Sequence, residues 1–217
     1  MSFNAGTRLI ARGLPDNKIR ITSATSSVFW GVIQLGVASS QTGTPPLDTS
    51  VVTNAVIERG SNSTSTAALS GREQHAFILD SVSVREMNGS AVRLYGPGSR
   101  MSRSVIDTVS VGATGGQPAL MVGRGTLEFT AIRNGPNGTG VRLDEVGTVR
   151  DVSIVGGAGL SMLCCFDSAR VNNVSITGPT RLALDVSNGA LHRSSANVTV
   201  SGGTAGAFTG RLYNLAT

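Results

Sequence analysis

The chain has 217 residues, enough for one domain with a sizeable core, and only 14% of them are charged. Hydrophobic residues reach 40% and glycine 28 positions, which excludes a helical bundle with charged outer faces and excludes disorder as well. The net charge of +5 rests on arginines scattered singly, without runs or interleaved aromatics, so no nucleic-acid partner is expected.

In chain order, Met1 to Arg8 lacks the basic stretch and apolar run of a signal peptide. Synthesis in a reducing cytoplasm is the expectation, with Cys164 and Cys165 as reduced thiols and the five Asn-x-Ser/Thr sequons unmodified. The longest apolar stretch, Val28 to Val37, is interrupted by Gly31, Gln34 and Gly36 and is too short for a membrane span. It holds the only tryptophan, Trp30, and is succeeded by a break at Pro45-Pro46. Residues 1–50 therefore read as a separate segment. Either Val28, Phe29, Trp30, Val32 and Ile33 cap the lowest coil of the body formed by residues 51–217, or the segment docks the chain onto a larger particle.

From residue 51 to 217 the chain repeats itself. The hexapeptide Val171-Asn172-Asn173-Val174-Ser175-Ile176 returns at Val149–Ile154, Leu79–Val84 and Ile106–Val111. Weaker copies stand at Val52–Ile57, Leu127–Ile132 and Ser195–Val200. The sixth position is β-branched in all seven copies. The third is Asn54, Ser81, Thr108, Asp151, Asn173 or Asn197, with Phe129 as the exception.

Positions four and six face one side of a strand. Position one can share that side only if the chain bends between them. The third residue is where the bend must fall, because Asn and Asp tolerate the left-handed backbone region. A second strand succeeds most copies, at Gly89–Leu94, Gly140–Leu143, Gly159–Met162 and Arg181–Leu184. The fold class is all-β: a single parallel β-helix of about seven coils, expected to be right-handed, beneath the N-terminal cap or docking segment.

These hexapeptides resemble the parallel β-helix repeat of pectate lyases, polysaccharide-degrading enzymes and phage tailspikes or capsid spikes. The resemblance covers roughly residues 50 to 200. It implies a virion structural protein: a homotrimeric spike joined to other virion proteins through residues 1–50, with a host surface glycan as a possible ligand. The alternative it implies is a polysaccharide-degrading hydrolase or lyase.

The residues favour the structural reading. Hydrolysis needs two carboxylates facing each other across a bond. Asp80, Asp107 and Asp151 lie in or beside the turn column, and Glu128 stands level with Arg150 as an exposed ion pair. Asp144 and Glu145 are the best remaining pair, yet neighbours in sequence make a poor acid and base. Calcium chemistry would want clustered aspartates, and His75 and His192 are too far apart in sequence to suggest a metal site. Outside the first segment the aromatic candidates for sugar stacking are Tyr95 and Tyr213. The outward residues Ser83, Ser110, Ser153, Ser175 and Thr199 form a single column, too narrow for an ice-binding grid. No catalytic, cofactor-binding or metal-binding residue is assigned.

Overall fold

The structure is a computed structural model that describes residues 7–25, 28–35, 48–61, 67–71, 75–109, 118–135, 138–144, 146–162, 169–186, 191–192, 194–204 and 208–210. The strands in chain order are β1 (Ile10–Arg12), β2 (Ile19–Ile21), β3 (Ile33–Leu35), β4 (Asp48–Glu58), β5 (Ala67–Gly71) and β6 (His75–Met87). They continue as β7 (Ser90–Leu94), β8 (Arg100–Ser102), β9 (Val105–Val109), β10 (Pro118–Val122), β11 (Thr126–Asn134) and β12 (Thr139–Leu143). The last six are β13 (Thr148–Val155), β14 (Ala158–Met162), β15 (Arg170–Thr177), β16 (Leu184–Val186), β17 (Ala196–Ser201) and β18 (Phe208–Gly210).

The strands form two parallel sheets. The first contains ten strands, built on the order β1-β4-β6-β8-β11-β13-β15-β17, with β2 beside β4 and β9 between β6 and β11. The second runs β18-β16-β14-β12-β10-β7-β5-β3. The chain alternates between the sheets as it climbs, which makes a β-solenoid with no helix among the described residues. The coil count differs slightly from the sequence reading, and β1, β2 and β3, from within residues 1–50, join both sheets.

The repeat explains the first sheet. Ile154 stacks on Ile176 and Ile132 on Ile154, all fully buried, and positions one and four line the same interior. The bend falls on the third residue as expected. Asn54, Ser81, Phe129, Asp151, Asn173 and Asn197 all have φ between 46° and 56°. The bend lets one strand present two inward runs that simple alternation would set on opposite faces.

One copy sits five residues earlier than the sequence pattern places it. Val84 pairs with Ile106, and Ile106 pairs with Ile132, so Ile106 occupies position six and not position one. The true third-rung copy is Met101-Ser102-Arg103-Ser104-Val105-Ile106, with Arg103 at the bend at φ 48°. The residue type at the bend explains the difference: arginine is unexpected there, and Ile106-Asp107-Thr108-Val109 mimics the pattern. Asp107 accordingly lies beyond position six, beside Arg85 and Arg133.

The second strands match at β7, β12 and β14, whereas β16 begins only at Leu184. Small residues mark where this sheet approaches the first. Ala68, Ala91, Ala119 and Ala183 are buried. At the level of Ala119, a Cβ added to Gly140 would lie 2.7 Å from both the Gly159 carbonyl oxygen and Ile154 Cγ2. A larger side chain there would push the sheets apart.

Candidate functional site

The outer face of the first sheet carries the chemistry. Beyond position six, the column Glu58, Arg85, Asp107, Arg133 alternates in sign from rung to rung. Arg85 Nε donates to Glu58 at 2.8 Å, Arg20 Nε donates to its other oxygen at 2.6 Å, and Arg133 lies 3.4 Å from Asp107. Burial pushes the Glu58 carboxyl up, but hydrogen bonds from Arg20, Arg85 and Thr22 outweigh it, and the pKa settles below the usual 4.5.

On the other side of the bend, Glu128 is clamped between Arg100 and Arg150, with Arg150 Nε donating at 2.6 Å. The stacking of Glu128 on Arg150 is as read from the sequence, but the pair is not exposed. The Glu128 side chain is 0% accessible, while each arginine is about half exposed. The two guanidinium groups cover the carboxylate, so the clamp presents positive charge outward. Asp80 is held in the same way by Arg103 and Ser102.

Phe129 stands beside this clamp, a 54% exposed residue at φ 46°. A bulky residue in the left-handed region stores about 1 kcal/mol or more. The sequence singles it out only as the exception in an Asn/Asp column. Above it Asn173 donates to Asp151 at 3.0 Å and Asn197 donates to Asn173 at 2.9 Å, a ladder along the axis. Asp151 is thus a turn residue, as expected.

On the second sheet, Asp144 is brought to Tyr95 and Arg142. Tyr95 donates its hydroxyl to Asp144, and Arg142 Nε donates to the same carboxylate at 2.7 Å. The Tyr95 ring lies across Gly123, where an added Cβ would collide with it. Burial raises the Tyr95 pKa above 10, and the Asp144 carboxylate raises it further. Tyr95 is therefore a half-buried tie between coils. Glu145, Cys164, Cys165, Tyr213, Ser110 and the Pro45-Pro46 break lie outside the described residues.

A third cluster sits in the interior near the lower end. Ser50 Oγ lies 2.8 Å from His75 Nε2 and accepts the Leu9 N–H at 2.8 Å. Asp48 pairs in register with His75 and meets Arg8 at 3.4 Å. These are the residue types of nucleophilic catalysis, but Ser50 has no accessible surface and sits among packed strands. His192 is elsewhere, bonded to Ser194 at 2.7 Å. Among the described residues no group of three or more His, Cys, Asp or Glu could hold a metal ion. No described helix is long and apolar enough to cross a membrane.

An open cavity of about 340 Å³ lies on the upper second sheet, lined by Ala158, Leu160, Ser161, Arg181, Leu182 and Asp185. It is large enough for a small polar ligand, and Ser161 and Asp185 are register partners within it.

Of the first segment, Trp30 and Ile33 pack against the core, and Trp30 Nε1 donates to the Glu58 carbonyl at 2.7 Å. Val28 and Phe29 are exposed. No protein-family model, curated protein or solved structure matches this chain.

Proposed function

We propose that the chain is a structural β-solenoid of the spike type, a virion component that projects a binding surface and performs no chemistry. One observation carries this reading. Asp48, Glu58, Asp80, Glu86, Asp107, Glu128 and Asp144 are each tied to an arginine, and most of these ties join different rungs. A carboxylate held this way serves cohesion; general acid or base work requires a group free to exchange protons with a substrate.

The binding surface would be the outer face of the first sheet around Phe129, Arg100 and Arg150, which offers an apolar ring beside two half-exposed cations. A host surface glycan is the proposed ligand class. Ile10, Leu14, Val28 and Phe29 of the N-terminal segment are all exposed, which favours docking onto other virion proteins there. Assembly as a homotrimer completes the proposal, since a short solenoid gains stability by burying one flank against its copies. The virion assignment itself rests on the resemblance of the repeat.

The test is incubation with a panel of neutral and acidic polysaccharides, with binding and product release measured on the same samples. The expected outcome is binding without shortened products. Product release would support the alternative, a polysaccharide-degrading enzyme. Sedimentation tests the assembly: a trimer is expected, and a clean 22.2 kDa monomer would count against self-sufficient trimerisation.

A further inference from the structure

The interior cluster at the lower end has no part in the proposed binding surface, and its placement is specific. His75 opens β6 with 1% of its surface accessible, its ring edge-on to Phe77 at 5.4 Å. Its backbone is boxed in, because a Cβ added to Gly71 would lie 2.7 Å from the His75 carbonyl oxygen. The imidazole therefore cannot swing out to water without moving its neighbours.

Ser50 links this ring to the start of the chain. Its hydroxyl oxygen accepts the Leu9 N–H, which leaves the hydroxyl proton for His75 Nε2, and no other partner of either group occurs among the described residues. Such an arrangement requires a neutral imidazole with Nε2 unprotonated. We propose that Ser50 and His75 form an acid-sensitive clasp that fixes the segment leading into β1 onto the solenoid. Protonation of Nε2 turns the acceptor into a donor. Ser50 Oγ then faces two N–H donors, and its own proton loses the Nε2 acceptor.

The charged groups facing the ring are Asp48 on β4 and Arg8 ahead of β1. Burial lowers the His75 pKa below 6.5; Asp48 opposes this shift and Arg8 adds to it. The opened form thus takes up the proton first. The clasp is complete above about pH 6.5 and weakens as pH falls toward the folded-state value. The Arg8–Asp48 contact spans the same junction, and the Val51 N–H donates to the Leu9 carbonyl at 2.8 Å. Opening is therefore local to residues 8–10 and leaves the upper rungs intact. This inference does not depend on the virion reading.

Amide exchange of residues 7–12, corrected for intrinsic rates, tests it between about pH 7.5 and about pH 4.5. Protection at Leu9 is expected to fall about tenfold, the equivalent of one hydrogen bond, while β13 keeps its own. His75→Gln, which stays polar but cannot titrate, is expected to abolish the step. Should that variant not fold, the wild-type His75 imidazole resonances decide: His75 must titrate where Leu9 protection is lost. Equal protection across the range overturns the proposal. So does a step that survives in His75→Gln, or one that occurs where His75 does not titrate.

Discussion

The lower and upper halves of the solenoid solve the same stacking problem with different residues. In the upper half, β11, β13 and β15 pair through seven registered positions at each contact, and the bend column is an Asp-Asn-Asn ladder of hydrogen bonds. The column beyond position six is uncharged there, with Val155, Thr177 and Ser201. In the lower half the bends carry Asn54, Ser81 and Arg103, with Phe129 of β11 at the boundary, and cohesion comes from the alternating Glu58, Arg85 and Asp107 column, which runs on to Arg133 of β11. Amide ladders give short directional bonds that repeat identically, so the upper rungs keep a regular sequence. Ion pairs tolerate variation in length and approach, so the lower rungs could diverge.

The difference can be broken from either side. The largest effect is expected in the shared core: Ile176→Asp places an unpaired charge at a position with 0% accessibility. The cost is several kcal/mol and soluble folding should be lost. A cooperative melt of that variant would refute the register. Next comes the ladder. Asn173→Ala removes the bonds to Asp151 and Asn197 and leaves an alanine at φ 53°. A loss of about 2 kcal/mol is expected in urea unfolding.

The charged column predicts a pH signature. Glu58 holds its proton less tightly folded than unfolded, so its contribution is present above about pH 4.5 and is lost as pH falls through the lower folded value. Glu58→Gln should flatten that acid limb of the melting curve, whereas Asn173→Ala should leave it in place. The smallest effect has the opposite sign. Phe129→Asn replaces a strained aromatic with a residue suited to the left-handed region and adjacent to Asp151. A gain of about 0.5–1 kcal/mol is expected. A ligand that protects wild type but not this variant would mark what the strain is kept for.

The same contrast explains which parts of the fold are legible in the sequence. The upper repeat is legible because β-branched residues at position six and Asn or Asp at position three are local demands that sequence shows directly. Arg103 obeys the same backbone demand with an unexpected residue type, so the pattern alone misplaces its copy. The rung formed by β1 and β2 is hidden because residues 13–18 interrupt it, with Leu14 bridging Asn17, although Ile19-Arg20-Ile21 keeps the alternation. The Glu128–Arg150 stack is legible from register. The burial of Glu128 is not, because Arg100 arrives from the rung whose copy the pattern misplaces. The Ser50–His75 contact depends on β1 joining β4, and nothing in the spacing of Ser50 and His75 announces it.

If the arginine-held carboxylates are cohesive and not catalytic, Glu128→Gln must separate the two roles. Thermal unfolding and polysaccharide cleavage should be measured side by side on wild type and variant. A loss of about 2 kcal/mol is expected, because two half-exposed arginines lose the carboxylate between them, with no cleavage in either protein to lose. Unchanged stability, together with a cleaving activity present in wild type and absent in Glu128→Gln, would contradict it.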